Sequence, residues 1–306
     1  MNLKKLIGAV AGTILIHPSA SVLATENGAP TTAAGLYNFG AGFMPPATPK
    51  GAFGLRTAFY SANSFKDNSG KDAPVDFSLD VLSLSLAHVR MTDHEVLGAK
   101  YGWGVVFPFL HMEASLDVST PVGTFSRSAD VFRQADIQVI PLILQWHPSR
   151  NLGVNAQFQI QAPTGDYDKD RLVSPGLNHW TFSPIFNATY ISDTGFEISS
   201  SFELDFNTRN RATDYRNGVE YRHEFAMGQH VKDWTVGLGG YYYHQLTDDK
   251  APSLTSGNRA RTIAAGPALS FFRPGMPAVW LHGYKEFGTR NRAEGYSLAL
   301  RIAQSF

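Results

Sequence analysis

The 306-residue chain contains no cysteine, which excludes disulfides and thiolate metal sites. Its 26 lysines and arginines balance 26 aspartates and glutamates. It therefore lacks the one-sided charge of a nucleic-acid binder or of a polybasic membrane anchor. After Ala24 there is no uninterrupted apolar stretch of about 18 residues, which excludes membrane crossing by helices. Gly-rich phosphate cradles and zinc-ligand spacings are missing as well. None of these absences touches a transmembrane β-barrel, in which only every second residue of a strand meets lipid.

What is present is a hairpin, 179–207, around which the rest can be organised. Its even positions read Trp180, Phe182, Pro184, Phe186, Ala188, Tyr190, then Phe196, Ile198, Ser200, Phe202, Leu204 and Phe206. The odd positions run from His179 and Thr181 to Asp205 and Asn207, and nearly all are polar. Successive side chains of a strand point to opposite faces, so this period-2 pattern describes a two-faced sheet. The Ser192-Asp193-Thr194-Gly195 sequence between the arms is a tight turn in which glycine supplies a positive φ. Each arm has about the 9–11 residues that a tilted strand needs to cross a bilayer, longer than the roughly 5–6 usual in soluble sandwiches.

The N-terminus predicts export. Lys4 and Lys5 precede an apolar run from Leu6 to Ile16, and Val22-Leu23-Ala24 offers a small-residue cleavage site. Residues 1–24 read as a signal peptide removed before Thr25. Residues 25–50 are rich in Gly, Ala, Thr and Pro, with Tyr37, Phe39, Phe43 and Met44 scattered without alternation. This stretch reads either as a periplasmic leader or as a segment that enters the barrel and narrows its lumen, with Tyr37, Phe39 and Phe43 as its plugging side chains.

Twelve strands are expected over 51–306. They are 51–63, 77–90, 97–116, 135–146, 151–162, the two arms of the hairpin, 214–227, 234–246, 259–272, 278–287 and 295–306. Pro141 and a slip of phase to Ile140, Leu142 and Leu144 predict a bulge in the fourth. Connections after odd strands are long (64–76, 117–128, 163–178, 208–213, 247–258, 288–294). Those after even strands are short (91–95, 147–150, 192–195, 228–233, 273–277). That alternation predicts an all-β, up-and-down antiparallel barrel of the outer-membrane type, with long extracellular loops and short periplasmic turns.

The inward face carries the candidate solute path: Asn155, Gln157, Gln159, Gln161, Glu197, Glu203, Asp205, Arg216, Glu220, Arg222 and Glu224. If residues 208–213 close their hairpin symmetrically, Asp205 faces Arg216 and Ser199 faces Arg222, with Glu197 and Glu224 flanking the arginine. Mixed signs argue against strong ion selectivity. Twelve strands enclose more than the filled interior of eight and less than the channel of 16–18, so contents decide conduction.

Two enzyme-like or metal-like patterns are weak. His147-Pro148-Ser149 has a His-x-Ser spacing, but a turn offers no third group to hold the base against the hydroxyl. Asp166, Asp168 and Asp170 alternate as calcium ligands can, yet Lys169 intervenes and the loop glycine is missing. No catalytic residue, metal ligand or cofactor is expected.

Several stretches resemble the outer-membrane family named for the MetA pathway of phenol degradation, which includes SphA-like proteins. They are Glu26-Asn27-Gly28-Ala29, Ala162-Pro163-Thr164-Gly165-Asp166-Tyr167, Gly176-Leu177-Asn178-His179-Trp180 with Pro184, and Thr213-Asp214-Tyr215 with Gly218. The resemblance implies uptake or handling of hydrophobic or aromatic compounds at the outer membrane of a Gram-negative bacterium. It carries over no catalytic residues. The terminal Phe306 resembles the signal read by the outer-membrane assembly machinery. The expected partners are the lipid bilayer, that machinery and a small hydrophobic or aromatic solute, with no nucleic acid. A lipid-hydrolysing barrel and a purely structural or adhesive one are the rival readings.

Overall fold

The computed structural model describes residues 25–28, 30–121, 123–252, 254 and 258–306. The expected signal peptide, 1–24, lies outside the described residues. A 3-10 turn (Glu26–Gly28) and an extended stretch precede thirteen strands. They are β1 (Ala52–Lys66), β2 (Asp76–Val96), β3 (Ala99–Thr120), β4 (Gly123–Gln134), β5 (Gln138–Ser149), β6 (Leu152–Gln161) and β7 (Thr181–Ile191). The rest are β8 (Phe196–Asn207), β9 (Glu220–Val231), β10 (Trp234–Gln245), β11 (Arg261–Phe271), β12 (Ala278–Arg290) and β13 (Arg292–Ser305).

Pairing is antiparallel throughout, and β1 lies between β2 and β13, which closes the ring. On β3, the lower residues Lys100–Val106 pair with β5, whereas Phe109–Thr120 pair with β4. β4 and β5 are thus the upper and lower parts of one strand, interrupted at 135–137. The result is a closed twelve-stranded up-and-down barrel with a β2–β3–β4 extension beyond its rim. The bulge expected near Pro141 is present: the β5–β6 register shifts between Val139 and Leu142, and β3–β5 shifts at Gly102/Gly104.

Outward side chains form the apolar band that a bilayer requires. Leu82, Leu84 and Leu86 of β2, Ile198 and Phe202 of β8, and Leu238 of β10 all stand exposed on the outer surface. Leu238 is 58% exposed, a surface that water would penalise and hydrocarbon accepts. Short turns, the start of β1 and Phe306 share one end, which the outer-membrane rule makes periplasmic.

The structure moves several boundaries. Residues 117–120 and 123–128, expected as part of a loop, instead extend β3 and β4, with Thr120 paired to Gly123 at φ 143°. The turn expected at 91–95 lies instead at Leu97–Gly98, whose φ values of 53° and 71° make it tight. The loop expected at 288–294 shrinks to Asn291, at φ 54°, between β12 and β13. These segments have one cause in common: they stand beyond the bilayer, where both faces are wet. No apolar alternation then marks them as strand.

Candidate functional site: the occupied lumen

The inward ladder is built by odd positions of β6, β7 and β8 and even positions of β9. Asn155, Gln157, Gln159, Gln161, Glu197, Glu203, Asp205, Glu220, Arg222 and Glu224 are all buried there. The observed register sets Glu203 opposite Arg222 and Asp205 opposite Glu220, with Ser199 facing Ala226. This corrects the symmetric closure: the β8–β9 loop spans 208–219, and the pairing is displaced by four residues from Ser199–Arg222. Arg222 Nη2 lies 2.6 Å from Glu203 and Nε lies 3.2 Å from Glu224. Glu197 is further down, 2.7 Å from His230.

Arg216 is not part of the ladder. It is exposed on the β8–β9 loop, its backbone bridges to Lys250, and its Nε donates to the Asn207 carbonyl at 3.0 Å. The reason is local. Gly218 passes so close to Thr247 that an added Cβ would lie 1.9 Å from that carbonyl oxygen, so this stretch is tied to the neighbouring loop.

The N-terminal segment occupies the barrel. Its first described residue, Thr25, bonds to Asp249 on the β10–β11 loop, and its later residues Phe43 and Met44 pack at the periplasmic end. It lacks strand partners, so its backbone groups must be satisfied by side chains. The ladder supplies acceptors. Glu220 accepts from Thr31 N (3.2 Å), Glu224 from Gly35 N (2.9 Å) and Tyr37 N (2.6 Å), and Glu197 from Gly40 N (2.6 Å). The Thr32 hydroxyl stands 3.0 Å from both Glu203 and Asp205.

Donors to its carbonyls include three arginines and three amides. Arg222 reaches the Thr32 carbonyl (2.9 Å), Arg301 reaches Leu36 (3.0 Å) and Arg56 reaches Gly35 (3.3 Å). Asn155, Gln145 and Gln161 donate to Ala41, Gly42 and Thr31. Gln157 binds Asn155 at 2.9 Å and meets the Tyr37 hydroxyl at 3.5 Å. Gln159 is buried in the same row, and its amide nitrogen finds no acceptor among the described residues. Most of these bonds have a charged partner, which makes them the strong kind.

Aromatic knobs complete the seat. Phe39 is 1% exposed, packed with Ala226 and Ala268 and lying over Gly228, where a Cβ would meet its ring at 2.6 Å. Phe43 lies on Gly153, where a Cβ would meet its ring at 2.3 Å. Trp280 donates from its indole nitrogen to the Phe39 carbonyl at 2.9 Å and stacks under Arg301 at 4.0 Å. Sequence reading missed Arg56, Arg301 and Trp280. Inward phase gives the signal: Arg56 shares β1's inner face with Ala58 and Tyr60, and β13 pairing puts Arg301 opposite Trp280. A second inner cluster was also missed: Glu286 accepts from Tyr60 and Tyr241, both at 2.8 Å, and Arg292 stands 3.4 Å away.

The opposite wall is different in kind. Beside Arg56 and Tyr60, inward residues at mid-height of β1 to β3 include Ala58, Val81, Ser83, Ser85, Val106, Pro108 and Leu110, and each of these seven keeps partial exposure. Below them Met44 joins Val89, Met91, Ile140 and Ile143 in an apolar cluster at the periplasmic end. Above them Met112, Leu177 and Tyr167 of the β6–β7 loop and Glu26 of the segment line one small cavity.

His147-Pro148-Ser149, expected as a turn, instead forms the end of strand β5. His147 lies exposed in β5 and stacks on Phe43 at 6.0 Å, while the Ser149 hydroxyl accepts from Asn151 N. Asp166 pairs with Arg171 at 2.6 Å, and Asp168 accepts from Asp170 N. On the outer face of the extension, His111 lies 2.9 Å from Asp130 and 3.5 Å from Glu113, remote from the lumen.

No curated protein matches the chain. Among solved structures, an outer membrane channel from Pseudomonas putida F1 superposes with a TM-score of 0.66 at 17% identity, covering 85% of this chain and 97% of the channel. That likeness confirms the barrel fold. The transport unit of the autotransporter AIDA-I from Escherichia coli (10% identity, 84% and 91% covered, TM-score 0.49) and the NanC porin (10%, 83% and 98%, 0.43) are more distant. The family model for the MetA-pathway of phenol degradation matches residues 62–302, nearly the whole barrel. The chain belongs to that family.

Proposed function

We propose that the protein is an outer-membrane channel for small hydrophobic or aromatic compounds, with residues 25–50 as a resident plug that leaves one side of the lumen for the solute. The observation that carries this reading is the division of the inner wall. The segment consumes the charged ladder of β6 to β9, while the apolar side chains of β1 to β3 stay partly exposed beside it. A solute entering such a space would meet Val106, Pro108 and Leu110 rather than the carboxylates. Binding sites for small apolar molecules have this composition, with a few polar groups fixing orientation. The outer-membrane channel from Pseudomonas putida F1 and the family's link to phenol degradation point the same way. Recognition by the assembly machinery through the strand ending at Phe306, after removal of residues 1–24, belongs to the same reading.

Planar-bilayer conductance of the mature protein, with and without a phenolic solute, tests the proposal. Small openings blocked reversibly by the solute are expected. Openings indifferent to every aromatic tried would sink the substrate class, and lipid hydrolysis by the pure barrel would replace the channel reading with an enzyme.

A further inference from the structure

Asp249 lies on the β10–β11 loop and is only 6% exposed. Its Oδ1 accepts from Gly218 N (2.7 Å) and Gln245 Nε2 (2.6 Å), and its Oδ2 from the Tyr215 hydroxyl (2.5 Å) and Thr25 N (2.7 Å). All four donors are neutral, and no Lys, Arg or His of the described residues forms a salt bridge with this carboxylate. Burial accordingly pushes the Asp249 carboxyl above its ordinary range. A buried carboxylate without a cation is costly, and proteins normally pair it.

One of those donors can change its charge. Thr25, itself 2% exposed, is the residue before which the sequence predicts signal-peptide cleavage. Hydrolysis of the Ala24–Thr25 peptide bond adds one water. Its hydroxyl goes to the departing Ala24 carbonyl and one proton to the Thr25 nitrogen. The new carboxylic acid then gives up its proton, and the free amine takes one to become an ammonium group.

We infer that Asp249 is the binding site for the processed α-ammonium group of Thr25, so that export itself creates the ion pair that latches the N-terminal segment at the extracellular mouth. The neighbouring contacts suit a fixed terminus. Glu26 N donates to Asn217 at 3.0 Å, and its carboxylate takes Tyr167 and Asn210 as donors at 3.2 and 2.7 Å. Its carboxylate is therefore occupied by neutral partners, leaving Asp249 as the anion at the nitrogen. Charge-assisted bonds are about twice as strong as neutral ones, and an ammonium group offers three donors where the amide offered one.

This inference rests on the plug reading, and the experiment separates the two. Mature protein from outer membranes is compared with refolded protein that keeps a methionine before Thr25, each with Asp249 and with Asp249→Asn. Intact mass must place the mature N-terminus at Thr25. A water-soluble amine-reactive reagent should label that terminus at least about tenfold more slowly in the mature Asp249 protein than in its Asn variant. In bilayers, wide plug-released openings should become about tenfold more frequent in the Asn variant and in the extended protein, with little further change in the doubly altered one. A different N-terminus, equal labelling, or additive effects would overturn the latch. If deleting residues 25–50 widens the channel while Asp249→Asn and the extension do nothing, the latch alone fails. If the deletion also changes nothing, the plug reading fails first.

Discussion

Two stretches of the inner wall, β6 to β9 and β1 to β3, differ in their side chains and in what those side chains touch. From β6 to β9, inward residues are mostly carboxylates, amides and hydroxyls with one arginine, nearly all are buried, and many bond the N-terminal segment. From β1 to β3, Arg56 and Tyr60 apart, the mid-height inward residues are small or apolar and remain partly exposed. A polar lumen wall usually faces water; here the polar half faces peptide backbone, whose amides and carbonyls have no ladder of their own. The wall thus substitutes for solvent on one side of the segment. On β1 to β3, Arg56 reaches the segment's backbone, whereas the alanine, valine, proline and leucine beside it offer no side-chain hydrogen bond.

The sharpest break of this contrast is removal of residues 25–50. With twelve strands and no plug, conductance should rise several-fold and block by aromatic solutes should weaken, because the narrow path between segment and apolar wall disappears. Bilayer recordings decide it: an unchanged conductance means the segment does not obstruct flow. Next in size is Arg222→Ala. It leaves Glu203 and Glu224 buried without their shared cation, a loss of about 3–5 kcal/mol where such a pair is truly desolvated. It also takes away a donor to Thr32. The barrel should still assemble, judged by heat-dependent gel mobility, since each strand keeps its ladder bonds. Wide openings should approach those of the deletion, whereas wild-type flux would reduce Arg222 to an inert part of the wall.

Much of this contrast is legible in the sequence. Strict alternation in the 179–207 arms and in β6 gave inward and outward faces residue by residue, because lipid outside and polar groups inside impose the same period. The ladder members named from that alternation are all inward, except Arg216. Partners were harder to read than faces. A four-residue displacement between β8 and β9 depends on a loop whose course is set by Gly218 meeting Thr247, a contact of high sequence separation. The β4 extension was missed for a related reason: beyond the bilayer nothing selects alternation, so Gly123 to Gln134 looks like loop. The role of Arg56 and Arg301 was hidden because each is a lone charge on its inner face, and only the path of residues 34–36 explains them.

A smaller test acts on the seat rather than the charge. At Gly153 the three atoms nearest an added Cβ all belong to the Phe43 ring, at 2.3 to 3.0 Å. Gly153→Ala should therefore displace that ring and little else, an overpacking penalty of about 1–3 kcal/mol. Wide openings should become more frequent than in wild type but rarer than with Arg222→Ala. Equal frequencies in Gly153→Ala and wild type would show that Phe43 does not hold the segment.

The subtlest test concerns the free half. Leu110→Asn replaces a partly exposed apolar side chain on β3 without touching the N-terminal segment's hydrogen bonds, so small-ion conductance should stay close to wild type. Block by a phenolic solute should weaken about 2- to 10-fold, the range expected when part of one leucine's apolar contact is lost. The matched change on the packed half, Gln159→Leu, adds apolar surface where the segment already covers the wall, and should leave block unaltered. If both substitutions shift block equally, solute does not distinguish the two walls and runs between them. If only Gln159→Leu matters, the path lies on the charged side, and the apolar wall serves packing alone.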